Sequence, residues 1–150
     1  MIECKIKIEL NNFTLDAKFT IPDKGISVVF GPSGSGKTTL LRAIAGLEKS
    51  DSGYLKIGDS VWQEGNNFVP THKRQIGYVF QDAALFSHLD VKGNLTYVIK
   101  RTEGLTGDFI DSIYNLLDIK PLLNRSTVQL SGGEKQRVAI ARALLTNPKI

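Results

Sequence analysis

The run Gly31-Pro32-Ser33-Gly34-Ser35-Gly36-Lys37-Thr38-Thr39 has residue types and spacing suited to holding a polyphosphate. It fits the pattern G-x-x-x-x-G-K-[ST] without a mismatch. Glycine at positions 31, 34 and 36 opens backbone angles closed to other residues, so successive amide N–H groups can turn toward one anion. A helix beginning at the end of the loop adds its positive N-terminal end to the same point. Lys37 brings a point charge able to reach the β- and γ-phosphates, and the Thr38 hydroxyl is a hard oxygen of the kind Mg²⁺ takes.

The flanking residues are the elements such a loop needs. Ile26-Ser27-Val28-Val29-Phe30 reads as a short buried strand leading in, and Thr38 to Leu47 as a helix leading out, with Leu40, Leu41, Ile44 and Leu47 on one face. Ile76-Gly77-Tyr78-Val79-Phe80 reads as another buried strand that ends directly at Gln81. Further on, Leu130-Ser131-Gly132-Gly133-Glu134-Lys135-Gln136-Arg137 opens a helix continued by the apolar-faced run Val138 to Leu145. Ser131 followed three residues later by Glu134 is a capping box. Two glycines in a first helical turn are poor helix formers. On residues alone, either a flexible helix start or the close approach of an anion to the backbone accounts for them.

Around these motifs, Met1 to Leu10 alternates, with Ile2, Cys4, Ile6, Ile8 and Leu10 on one face, and Phe13, Leu15, Ala17 and Phe19 alternate again after an Asn11-Asn12 turn. The expectation is an antiparallel hairpin laid beside the strand that feeds the phosphate loop. Ser50-Asp51-Ser52-Gly53 is a turn, and Tyr54–Ile57 and Val61–Gln63 are short strands around Gly58-Asp59. Glu64 to Arg74 reads as a surface loop, in which His72 has no second ligand nearby and is expected to be solvated. Asp82 to Leu89 is irregular. A helix opened by Asp90 follows, with Val91, Leu95 and Val98 inward, although Gly93 weakens it. A second is capped by Asp108, with Phe109, Ile113, Leu116 and Leu117 on one face. Asn147-Pro148 ends the last helix, and Lys149-Ile150 begins another strand.

At 150 residues, 41% hydrophobic and 23% charged, the chain is expected to be one soluble domain. No apolar run approaches the roughly 20 residues of a membrane span, and charges from Glu3 onward break any signal-peptide pattern, so a cytosolic protein is expected. The net charge of +4 suits a polyphosphate ligand. No basic cluster with interleaved aromatics offers a nucleic-acid face, and none is expected as a partner. Cys4 is the sole cysteine, read as a small hydrophobe on a strand.

Three motifs in this order (Gly31 to Thr39, Gln81 after a strand, and Leu130 to Gln136) resemble the nucleotide-binding subunits of ABC transporters over essentially the whole chain. The resemblance implies an α/β fold, a P-loop NTPase of the ABC type with an antiparallel β subdomain and a helical subdomain at about 82–119. It implies that Gly31, Pro32, Ser33, Gly34, Ser35, Gly36, Lys37, Thr38 and Thr39 hold ATP, with Thr38 and Gln81 on Mg²⁺ and Lys37 and Gln81 serving hydrolysis. Leu130, Ser131, Gly132, Gly133, Glu134 and Gln136 would contact ATP held by a second subunit in a head-to-tail dimer. The partners implied are that second ATPase subunit and a membrane-spanning permease, at the cytoplasmic face of the inner membrane.

The stretch Phe80-Gln81-Asp82-Ala83-Ala84-Leu85-Phe86, with His88 and Val91-Lys92-Gly93-Asn94-Leu95, is similar to the ATPase subunits of molybdate importers, and sulfate, iron and polyamine importers look alike here. His88 is structural in either case. Two departures stand out. Asn11 and Asn12 occupy roughly the place where family members stack adenine on an aromatic residue, and Phe13 is the nearest aromatic. The family's Walker B strand, with its Mg²⁺-bound aspartate and catalytic glutamate, would begin just where the 150 residues end, which implies a core sheet incomplete at the C-terminus. Besides an importer ATPase, a nucleotide-binding remnant without turnover and a soluble ABC ATPase acting on nucleic acid or ribosomes are the alternative readings.

Overall fold

The computed structural model describes residues 1–10, 13–50 and 52–150, so the expected Asn11-Asn12 turn and the Asp51 position of the expected 50–53 turn lie outside the described residues. The chain forms two compact units, Met1–Arg74 and Gln75–Ile150.

In the first unit the alternating runs become strands β1 (Ile2–Leu10) and β2 (Phe13–Ile21), paired antiparallel from Ile2 opposite Ile21 to Leu10 opposite Phe13. Period-two alternation puts Cys4, Ile6 and Ile8 on the buried face and Lys5, Lys7 and Glu9 in solvent. The other neighbour of β1 corrects the expected layout. It is β3 (Ser52–Ile57), followed by β4 (Ser60–Glu64) and the short β5 (Asn67–Phe68), in the order β2-β1-β3-β4-β5 and antiparallel throughout. Leu55 stands opposite Cys4 across the β1–β3 pairing, and Ile6 and Leu55 are both wholly buried in the core. Each such aliphatic side chain contributes about 1.5–3 kcal/mol.

The expected strand Ile26–Phe30 is not formed. No ladder reaches it among the described residues, and Ile26 and Phe30 are 94% and 97% exposed. A run apolar on both faces has the composition of an interior strand, but that composition yields a strand only where neighbours satisfy its N–H and C=O groups. Helix α1 (Lys37–Ala45) does form where expected. It buries Leu40, Ala43 and Ala45, whereas Leu41, expected inward, is 46% exposed.

The second unit is helical. α2 (Val91–Ile99) starts at Asp90, whose carboxylate accepts from the Gly93 N–H at 2.6 Å, and it buries Val91, Asn94 and Leu95. α3 (Gly107–Leu116) is capped by Thr106, accepting from the Phe109 N–H at 3.2 Å, rather than by Asp108. Asp108 falls in the first turn, where its charge meets the positive end of the helix. Its inward face carries Ile110, Ile113, Tyr114 and Leu117, and the expected core residues Phe109 and Leu116 are exposed. α4 (Gly132–Leu144) packs Val138, Ala141 and the following Leu145 against Val91, Leu95 and Ile113. The expected buried strand Ile76–Phe80 is partly exposed and unladdered, for the same reason as Ile26–Phe30. Two backbone bonds tie it to residues 149 and 150: the Lys149 N–H donates to Gln75 O at 2.9 Å, and the Gly77 N–H to Ile150 O at 2.8 Å. No helix among the described residues is long and apolar enough to cross a membrane.

Candidate phosphate site and signature helix

The Gly31 to Thr39 loop turns on itself before α1. The Ser35 N–H donates to Pro32 O at 3.3 Å, and Gly34 and Gly36 take left-handed φ values of 82° and 86°. Gly36 is doubly constrained, because a Cβ there would also lie 2.8 Å from Phe13 Cε1. Phe13 thus packs its ring against the start of α1, while Asn11 and Asn12, at the place where the family resemblance puts a stacking aromatic, lie outside the described residues. α1 begins with no capping side chain and no acidic residue in its first turn, so its leading N–H groups have no anionic partner from their own helix. Lys37 Nζ folds back over the loop, donating to Gly31 O at 2.9 Å, Pro32 O at 2.7 Å and Ser35 Oγ at 3.4 Å. Its charge therefore sits beside the turned amides. Thr38 is exposed in the same helical turn.

The far end of α1 is fixed by a residue that sequence reasoning placed in a surface loop. Gly46 closes the helix at φ 77°, its N–H donating to Ala43 O and the Leu47 N–H to Arg42 O, a Schellman arrangement. The buried Arg74 covers that end: Nη1 donates to Ala43 O and Ile44 O, Nε to Val69 O at 2.7 Å, and its guanidinium lies 4.8 Å from the Phe68 ring centre. Burial lowers the pKa of Arg74 from its ordinary value. No partner is found for Nη2 among the described residues.

Gln81 is exposed at the head of a tight turn in which the Ala83 N–H donates to Phe80 O and the Ala84 N–H to Asp82 O. Ala83 and Ala84 are both left-handed, at φ 57° and 45°. That conformation costs an L-residue about 1–2 kcal/mol, so other contacts must hold it. Arg142 of α4 donates from Nη2 to Ala84 O at 2.8 Å and Ala83 O at 3.3 Å. Asn94 takes the next residues, accepting from the Phe86 N–H at 2.8 Å and donating to Phe86 O at 3.1 Å and Asp90 O at 2.9 Å. Neither residue was singled out from the sequence. A polar Asn94 on the same apolar stripe as Val91 and Leu95 was the available signal.

At the start of α4 the expected capping box is present. The Glu134 N–H donates to Ser131 Oγ at 3.3 Å, and the Ser131 N–H to Glu134 Oε2 at 2.8 Å. Those bonds from Ser131, with Arg125 Nη1 3.1 Å from Glu134 Oε1, lower the pKa of Glu134 from its ordinary value. Leu130 is buried beneath the cap, Gln136 is half-buried, and Gly132 and Gly133 are exposed. A Cβ at either glycine would meet nothing within 4 Å, so packing within the described chain does not require glycine there. The Gly31–Thr39 loop belongs to one unit and Gln81 and α4 to the other.

The profile of the ABC transporter family matches residues 15–150, and the chain belongs to that family. Its fold is that of the ATP-binding cassettes. A dimeric post-hydrolysis state of the cassette MJ0796 bound to ADP and Pi superposes with a TM-score of 0.76 at 28% identity, over 99% of this chain and 71% of that one. Among curated relatives, the molybdenum import ATP-binding protein ModC of Thiobacillus denitrificans is 50% identical over 99% of this chain, and that of Rhodobacter capsulatus 48% over all of it. The chain spans about two fifths of the length of these relatives, 41% in both cases.

Proposed function

We propose that the whole protein is the ATP-binding and ATP-hydrolysing subunit that energises an ABC importer of molybdate. The observation that carries this reading is the identity of about one residue in two, across essentially the whole chain, to proteins named for molybdenum import. The subunit would work at the cytoplasmic face of the membrane, docked on a membrane-spanning permease and paired head to tail with a second copy.

The residues fit the chemistry. The amides of Gly34 to Thr39 and the Lys37 ammonium offer positive potential to the ATP phosphates, and Lys37 would exchange loop carbonyls for phosphate oxygens. Thr38 and Gln81 have the oxygen donors Mg²⁺ prefers, and the ion, when bound, neutralises charge on the β- and γ-phosphates. Gly132 and Gly133 leave the first turn of α4 bare, and Ser131 is exposed beside them. That suits the γ-phosphate of a nucleotide held by the second subunit, since a helix start with no side chains over its N–H groups lets an anion approach the backbone.

The test is Lys37→Ala in the full-length protein assembled with its permease. ATP affinity should fall at least tenfold and molybdate uptake should be lost. Unchanged ATP affinity would remove the phosphate-loop assignment. Uptake of sulfate but not molybdate by the unmodified complex would keep the ATPase and overturn the solute.

A further inference from the structure

The segment after Gln81 carries a backbone conformation that its residues do not favour. Ala83 and Ala84 are consecutive left-handed residues with no glycine among them. Left to itself such a turn relaxes, because each Cβ crowds a neighbouring carbonyl. Their two carbonyl oxygens converge on one nitrogen, Nη2 of Arg142. The guanidinium lies 5.3 Å from the Phe86 ring centre, and Phe86 is held through both its N–H and its C=O by Asn94. Asn94 Oδ1 is in turn 3.5 Å from Arg142 Nη1. The segment is therefore fastened at Ala83-Ala84 by α4 and at Phe86 by α2.

We propose that Arg142 is a positioning residue for Gln81: from the last turn of α4 it pins the Ala83-Ala84 turn two residues beyond Gln81, tying the setting of that glutamine to the helix whose first turn is the signature. Arg142 lies ten residues beyond Gly132, about 15 Å along one rigid helix. A displacement of the signature turn thus reaches the Gln81 segment through a single element. Arginine suits the post because its planar fork spans several acceptors in one plane, which a lysine ammonium does not reproduce. The inference deepens the ATPase reading and rests on the role proposed there for Gln81.

The test uses hydrogen exchange and steady-state ATPase kinetics on the full-length protein in its permease complex. In Arg142→Gln, amides from Ala84 to Phe86 should exchange at least tenfold faster while those of Val138 to Ala141 keep their protection. ATP binding should stay within threefold and kcat should fall at least tenfold. Adding Ala83→Gly and Ala84→Gly, which admit the left-handed turn freely, should return at least threefold of the lost kcat. Unchanged exchange from Ala84 to Phe86 would overturn the proposal. So would a loss spread evenly over α4 with no recovery from the glycine pair. Should Arg142→Gln fail to fold, Arg142→Lys carries the same comparison. An unmodified complex without ATP hydrolysis would overturn the ATPase reading instead, and exchange at Ala84 to Phe86 would still decide the anchor.

Discussion

Gly46 and Arg74 are fitted to each other: a Cβ on Gly46 would lie 2.7 Å from Arg74 Nε and 2.8 Å from its Cζ. The glycine at the end of α1 supplies the left-handed cap and also the space through which a buried guanidinium reaches the helix carbonyls. Gly46→Ala should destabilise the protein by about 2–4 kcal/mol, summing the left-handed penalty and the disturbance of buried hydrogen bonds. Chemical denaturation of the full-length protein checks this. A change below about 1 kcal/mol would mean that the guanidinium moves aside freely.

Asn94 offers a sharper case, because one buried amide satisfies several backbone groups at once. Asn94→Leu keeps the branching but adds methyl bulk, orphans the Phe86 N–H and leaves Phe86 O only Thr127 Oγ1 at 3.5 Å, at an expected cost of about 2–4 kcal/mol. Asn94→Asp retains the acceptor for the Phe86 N–H but loses the donors to Phe86 O and Asp90 O. Comparing the two in urea separates the donor side of the amide from its acceptor side.

The capping box of α4 should respond to acid. A carboxyl whose folded pKa is lowered adds stability above its unfolded value, about 4.3 for glutamate, and that stability is lost as pH falls through the folded value. Amide exchange at Ser131 and Glu134 should therefore speed up below about pH 4, relative to the helix interior, as the box weakens. Glu134→Ala, which removes the acceptor, should show the faster exchange at neutral pH and little further change on acidification.

Cys4 should be inert. It is 3% exposed, and burial raises its thiol pKa to about 11. Alkylation by iodoacetamide at about pH 8 should be at least about a hundredfold slower in the folded protein than in denaturant, where the thiol titrates near 8.5. The same shift means that the fold loses stability as pH rises from the free-thiol value toward about 11.

Where local chemistry decided the structure, it was legible in the residues. The alternation of Cys4, Ile6 and Ile8 set a buried strand face, and Ser131 with Glu134 announced a cap that formed as written. Ile26–Phe30 was misread because the property that makes a strand there lies in its neighbours rather than in its side chains. Arg74 and Arg142 were missed for a related reason. Each satisfies carbonyls distant in sequence, at Ala43 and Ala84, and no spacing rule connects such pairs. Thr106 and Asp108 are both good caps two residues apart, so the helix start was ambiguous by that margin.

The strand order β2-β1-β3-β4-β5 also dictates how the first unit can assemble in time. Each pairing but one joins strands close in sequence, and the exception sets Ile2 opposite Ile57, with the Gly31–Thr39 loop and α1 inside the span that it closes. Local hairpins form within microseconds, whereas distant pairing must first meet the entropy of closing that span. The β1–β3 seam should be the slow step, with the β1–β2 pair and the β3–β4–β5 meander preformed on either side of it. On the ribosome the first hairpin would emerge complete and stay half a sheet until β3 was synthesised. A pause in translation shortly after Ile21 would hold its apolar edge open longest.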